Sequence, residues 1–314
     1  MCLRFYRPPR GHYNDGMSHS VLCMGQASVE LVGQMPRFPV RQGDRQELSA
    51  FSLQGGGAAA NAAVTLAVLG ARVSFAGALA DDFLGEVAAA GLSEVGVELR
   101  HLRRIAGGVS PASFVALDEE RRRPTVFWTR GSGEALRPEA VPPAALEDVS
   151  LLLVDGYHPV AQLALVEAAR ARGVRTMLSA HAMVPGMAQL AAQCDVVVAS
   201  ERFAREVAAV VPRSLEEILA LGAEVAVVTL GEDGSVGQAR GGAPVKVEAL
   251  PVDLVDPTGS GDVYRGAFAW AQLQGRGLKE SMRFASTAAS LKCRHFGARE
   301  GIPELDEVER ALAA

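Results

Sequence analysis

Residues 255–270 read Val-Asp-Pro-Thr-Gly-Ser-Gly-Asp-Val-Tyr-Arg-Gly-Ala-Phe-Ala-Trp, and the rest of the chain is best read outward from them. An Asp-Pro turn and a glycine pair run straight into an apolar helical pattern. Gly259 and Gly261 carry no Cβ, so the backbone there can approach a ligand and aim successive N–H groups one way. Those groups open a helix, where anions are favoured. Asp262 falls in the same first turn. One reading is an ordinary acid at a helix start. The other is a carboxylate beside an anion cradle, in which the cradle holds a phosphate while the carboxylate takes a proton from an alcohol. Placement in the first turn predicts an acidic Asp262 that accepts its proton late.

Upstream, strands and helices alternate. Strands are predicted at 21–25, 28–32, 47–53, 73–77, 151–155, 174–179, 195–199 and 224–230. Helices are predicted at 58–69, 82–94, 160–172, 201–210 and 214–221, with three more at 258–274, 279–292 and 304–313. This order predicts a mainly parallel sheet covered on both faces. Segments 112–118 and 124–129 form a predicted hairpin. With 28–32 and 47–53 they make a small antiparallel sheet set apart from the main one, a candidate lid. Residues 1–20 hold Arg4, Arg7, Pro8, Pro9 and Arg10 and no apolar signal core, and are expected to be a disordered tail, with Met17 as an alternative start.

Composition excludes several functions. The chain has 314 residues, 49% hydrophobic and 21% charged, enough for one large core. A net charge of −5 argues against a nucleic-acid face, and no apolar stretch reaches membrane-spanning length. Only Lys246, Lys279 and Lys292 are lysines, and none precedes Ser or Thr, so no Gly-Lys-Ser/Thr phosphate loop exists. Cys2, Cys23, Cys194 and Cys293 form no Cys-x-x-Cys pair, as expected for a reducing cytosol.

Two further stretches carry chemistry. Residues 55–61, Gly-Gly-Gly-Ala-Ala-Ala-Asn, loosely fit a dinucleotide fingerprint, but two strands precede them where the fingerprint needs the first. They also suit tight helix packing, or close approach of a sugar with Asn61 bonding its hydroxyls. Residues 229–234, Thr-Leu-Gly-Glu-Asp-Gly, end the last predicted parallel strand, where ligands of open sheets gather.

Together the three stretches resemble the ribokinase/PfkB family of carbohydrate kinases. Gly56 to Asn61, with Leu69, Gly70, Gly77, Asp81, Asp82 and Gly85, is similar to that family's first signature. Asp256 to Asp262, with Gly266, Ala267 and Phe268, is similar to its second. Thr229, Leu230, Gly231 and Gly234 match its nucleotide-side turn, and Gly297, Ala298, Ile302 and Pro303 its C-terminal ending. The likeness spans about 21 to 303, and residues 281–293 resemble the ketohexokinase and sulfofructose kinase branch.

The resemblance implies an α/β ribokinase-like three-layer sandwich over 21–314, with a β lid from about 28–53 and 110–130 through which two copies pair. It implies ATP-dependent phosphorylation of a primary hydroxyl on a sugar or polyol, with Mg2+ carried by ATP. Asp262 would be the base and Gly259, Ser260 and Gly261 the anion hole. Glu30, Gly56, Gly57 and Asn61 would face the sugar. Ser200, Glu201, Thr229, Gly231 and Gly234 would lie on the nucleotide side, and Asp256 and Thr258 near a monovalent cation. Four departures stand out. Glu30 replaces the family's sugar-gripping Asp, and Ser200-Glu201 replaces its Asn-x-x-Glu. Ala80 replaces a common glycine. No arginine follows strand 151–155, which disfavours a sulfosugar, although Arg130 could meet an anion; His158 is expected to be silent. The competing expectations are a nucleoside kinase, a non-catalytic sensor and, on 55–60 alone, a dehydrogenase.

Overall fold

The strand Leu151–Val154 is apolar throughout because both of its faces are covered: Leu151 and Leu153 join one core, Leu152 and Val154 another. The computed structural model describes residues 19–314. The expected tail lies outside the described residues except for its last two, as does Met17, and Ser20 already begins a strand.

The strands are β1 (Ser20–Met24), β2 (Ser28–Met35), β3 (Ala50–Gly56), β4 (Arg72–Ala80), β5 (Glu98–Ile105), β6 (Ala112–Asp118), β7 (Arg123–Thr129), β8 (Leu151–Val154), β9 (Arg175–Ala180), β10 (Val196–Ser200), β11 (Val225–Thr229), β12 (Ser235–Ala239) and β13 (Val245–Val247). The helices are α1 (Ala58–Val68), α2 (Phe83–Ser93), α3 (Pro159–Ala171), α4 (Met187–Gln193), α5 (Glu201–Val207), α6 (Val211–Leu221), α7 (Ser260–Leu273), α8 (Leu278–Lys292) and α9 (Leu305–Ala313). Nine strands form the main sheet in the order β13-β12-β11-β10-β9-β8-β1-β4-β5. The run from β11 to β5 is parallel, and β12 and β13 add an antiparallel edge. Helices α1, α2, α7, α8 and α9 cover one face and α3 to α6 the other, giving the expected three layers.

The sequence reading misses β5, α4, β12 and β13. Strand β5 reads Glu-Leu-Arg-His-Leu-Arg-Arg-Ile; as an edge strand it needs little apolar burial, so periodicity is faint. The lid also differs from expectation. Its order is β3-β2-β6-β7, and β2 pairs with β6 in parallel, so the small sheet is mixed. Both β2 and β6 leave the same end of the main sheet, after β1 and β5, and therefore run the same way.

Small residues bring two helix starts together. A Cβ on Gly266 of α7 would lie 2.7 Å from the Ala62 carbonyl oxygen and from Thr65 Cβ of α1. The alanine-rich α1 and Gly266 thus allow a close crossing, which sets Asn61 beside Asp262.

Candidate active site

Asp262 sits in the first turn of α7, just after Gly259, whose φ is +75°. Asn61 Nδ2 donates to Asp262 Oδ2 at 3.0 Å, and Arg299 Nε donates to Asn61 Oδ1 at 2.8 Å, so the amide orientation is fixed from both ends. Arg265, one helical turn on, reaches Asp262 Oδ1 at 3.5 Å. Its side chain is 2% exposed while that of Asp262 is 17% exposed, so the carboxylate alone remains reachable. Arg265 also donates to the Val198 carbonyl at 3.3 Å and the Ala180 carbonyl at 3.4 Å, anchoring it to the middle of β10 and the C-terminal end of β9. Burial pushes the Asp262 carboxyl above the usual aspartate range, against the pull of Arg265 and Asn61. The expected acidic Asp262 is corrected: desolvation outweighs the favourable helix start.

The inner face of the lid carries a row set by strand register. Gln54, Glu30, Ser113 and Trp128 stand side by side on β3, β2, β6 and β7. Glu30 leans over Gly56, where any Cβ would strike its side chain. Gly56 therefore makes room for Glu30. Gly57, at φ +96°, packs on the backbone of Gln26 and Ala27, with a would-be Cβ 2.5 Å from the Gln26 carbonyl oxygen. Gly56 thus gives room to a side chain and Gly57 to neighbouring backbone. Burial, followed by repulsion from Asp262, raises Glu30 to about 7, with Arg299 and Lys292 opposing. Burial likewise lowers Arg299 to about 10, which leaves it charged at neutral pH. Glu30 Oε2, Ser113 Oγ and Arg299 Nη1 are enclosed without a hydrogen-bond partner. Such groups are costly unless something polar meets them. At the border, Arg130 stacks 5.6 Å from the Trp128 ring and 5.1 Å from that of Tyr157. His158 Nδ1 accepts from the Leu136 N–H at 3.1 Å.

The residues expected on the nucleotide side lie further along the sheet edge. Thr229 ends β11 opposite Ser200 of β10. Gly231 and Gly234, at φ +61° and +83°, frame the turn into β12. Ser200 caps α5, accepting from the Phe203 N–H at 3.1 Å and donating to the His181 carbonyl at 2.7 Å. Glu201 pairs with Arg205 at 2.6 Å. Neither Ser200 nor Glu201 joins an acidic cluster able to hold a resident metal among the described residues.

Asp256 and Thr258 do not fit an alkali-metal site. Both Asp256 carboxylate oxygens accept backbone N–H groups, from Thr258 and from Gly297, each at 2.8 Å. The main-chain carbonyls of Asp256 and Thr258 point at the Lys292 ammonium, at 2.9 Å from Asp256 and in a short contact from Thr258. The metal role expected of these two residues is corrected accordingly.

Asp155, Arg265, Lys292 and Arg299 escaped the sequence reading as site residues. Asp155 accepts from the Gln26 and Ala59 N–H groups at 2.8 and 3.2 Å, tying the ends of β8 and β1 to the start of α1. That junction is where strand order reverses direction about β1, the place where ligands of open parallel sheets bind. A charged Arg265 inside an otherwise apolar helical pattern was a usable signal, and so was the rarity of lysine. Nothing in local spacing marked Arg299.

The profile described as "pfkB family carbohydrate kinase" matches residues 18–305. A ribokinase of Bacillus subtilis is 27% identical, over 94% of this chain and 99% of its own length. A nucleoside kinase of Methanothermobacter thermautotrophicus is 25% identical, over 94% of this chain and 96% of its own. The structure of Arabidopsis thaliana ribokinase complexed with ribose and ATP superposes with a TM-score of 0.78 at 24% identity, covering 95% of this chain and 100% of that one. These names are ribokinase and nucleoside kinase, and none of them supports the ketohexokinase branch expected from residues 281–293.

Proposed function

We propose a specific reaction for this chain, which belongs to the pfkB family of carbohydrate kinases and is a phosphotransferase: transfer of the γ-phosphoryl group of ATP to a primary hydroxyl of a sugar or sugar-like polyol. One observation carries the reading. A partly exposed carboxylate, Asp262, stands in the first turn of a helix beside a left-handed glycine turn, near a lid row in which Glu30 Oε2 and Ser113 Oγ lack partners. The acceptor hydroxyl gives its proton to Asp262 as its oxygen bonds to phosphorus, and ADP leaves with the bridging oxygen. The N–H groups of Gly259, Ser260 and Gly261 meet the transferring phosphoryl oxygens. Thr229, Gly231 and Gly234 border the nucleotide, with Ser200 and Glu201 beside them. Mg2+ supplies charge neutralisation between the phosphates and arrives with ATP. Incubation of the purified protein with Mg-ATP and a panel of pentoses, hexoses, ketoses and polyols, read as ADP release and as phosphorylated product, tests this. Absence of product from every acceptor would sink it.

Glu30 and Ser113 offer their unpartnered atoms to acceptor hydroxyls, while Asn61, held in turn by Arg299, keeps Asp262 in aim. Replacing Glu30 with Gln is expected to raise the acceptor KM by roughly tenfold or more, the worth of a hydrogen bond to a charged group. The KM of wild type should also rise as pH falls through about 7, because protonated Glu30 accepts less well. Stability moves the other way. The folded-state pKa lies above the ordinary 4.5, so this group's contribution is fully present below that value and is lost as pH rises through about 7. Glu30→Gln should therefore stabilise the fold by about 1–3 kcal/mol near pH 8, discounted for partial exposure, and by little near pH 4. Melting curves at the two pH values check the sign.

The Trp128–Arg130–Tyr157 stack favours a second reading, an acceptor with a flat ring such as a nucleoside, and the relative from Methanothermobacter carries that name. Nucleosides belong in the same panel. The outer lid face displays Phe127 and Phe51, 53% and 47% exposed, with Phe38 and Phe114 beside Phe127. A second copy covers this face in the proposed dimer. Phe127→Glu should halve the mass seen by light scattering; wild type already at monomer mass would remove the dimer.

A further inference from the structure

We propose that the Lys292 ammonium acts as a built-in monovalent cation for the loop that leads into the phosphate-facing turn, so that this protein needs no potassium or sodium there. Lys292 is the last residue of α8 and is 0% exposed. Lys246 and Lys279, the other two lysines, are both exposed. Its Nζ donates to the main-chain carbonyls of Asp256 and Thr258, which flank Pro257 and immediately precede Gly259. Two carbonyl dipoles this close in sequence repel one another, and they turn to a common point when a positive charge lies there. The carboxylate of Asp256 balances that charge from within the same loop, yet its two oxygens are engaged by the Thr258 and Gly297 N–H groups. A metal ion would find both carbonyls facing an ammonium and each Asp256 oxygen already accepting a backbone N–H, with Thr258 Oγ1 the one enclosed oxygen of the loop left without a partner.

An ammonium suits this task. It is a compact point charge with three donors and no acceptor, and carbonyl oxygens are its natural partners. A bound alkali ion orders a loop only in proportion to its concentration over its dissociation constant. An ammonium tethered to α8 is always present, so the loop stays ordered in any salt. Val255 and Asp256 N–H groups donate to the Cys293 carbonyl at 2.8 and 3.1 Å, fastening the same loop to the residue that follows the lysine. Lys292 touches neither of the proposed substrates and is a positioning residue. What the loop serves rests on the kinase reading above; what the lysine displaces does not.

The test compares potassium with choline at matched ionic strength. Wild type should show no potassium-specific change in melting temperature, and turnover with its best acceptor should differ by less than about twofold between the two salts. Lys292→Ala opens room for an ion at the two carbonyls. That variant should lose about tenfold or more in kcat in choline, and regain several-fold with potassium or ammonium, together with a potassium-specific rise in melting temperature. A merely structural lysine would leave a defect equal in every salt. Potassium-specific activation or stabilisation of wild type would overturn the proposal, and so would a Lys292→Ala protein indifferent to the cation. Should the variant fail to fold, the wild-type comparison still decides. The melting arm needs no turnover, so a chain that phosphorylated nothing would fail the kinase reading while leaving this inference standing or falling on its own.

Discussion

Replacing Asp262 with Asn is expected to lower kcat by about a thousandfold while KM for acceptor and ATP moves only a few-fold, since a positioned base contributes roughly 10²–10⁴ in rate. The change keeps shape. Asn retains an oxygen to accept from Asn61 Nδ2, and Arg265 keeps its carbonyl anchors on β9 and β10. Loss of activity would then report the missing base and not a collapsed site; a melting temperature within a few degrees of wild type is the control. Burial holds the Asp262 carboxyl above the ordinary aspartate range, so kcat in wild type should fall as pH drops through that raised value. The Glu30 limb appears in KM, which separates the two groups. A variant retaining more than a tenth of wild-type kcat would remove Asp262 from its role.

Gly259→Ala is expected to cost about 2–4 kcal/mol of stability and to lower kcat by about a hundredfold. Two costs combine. The residue has φ +75°, where a side chain is strained, and a Cβ would lie 2.8 Å from the Ala298 carbonyl oxygen and 2.9 Å from Ala298 Cβ. The Ala298 carbonyl oxygen is backbone, so the segment carrying Gly297 and Arg299 must shift. That displaces the N–H groups at the start of α7 and the Arg299–Asn61–Asp262 chain together. Gly275→Ala provides the contrast: φ is +74° there too, but nothing lies within 4 Å of its would-be Cβ, and the residue lies past the far end of α7. It should pay the strain alone, about 1 kcal/mol, with turnover close to wild type. Equal behaviour of the two variants would mean that the Gly259 turn has no part in holding phosphate.

The departures from expectation have physical causes in particular residues. Strand β5 went unseen because an edge strand can be charged, and the lid was read as antiparallel because sequence carries hairpin signals and no signal for a parallel partner. Asp256 and Thr258 resembled a cation site by motif, and only the side chain of Lys292, 36 residues from Asp256, revealed what stands there.

Sequence alone determined the layered α/β architecture and the turn that presents Asp262, because hydrophobic periodicity and glycine are local properties of the chain. Tertiary structure decided the charge behaviour of the site. Asn61 reaches Asp262 across 201 residues and Arg299 reaches Asn61 across 238, and these encounters, with the burial they bring, set which carboxyls gain proton affinity, just as packing of α8 sets which charge faces the Asp256 and Thr258 carbonyls. Proton affinity follows from neighbours and lost water, and neither is written in the order of residues.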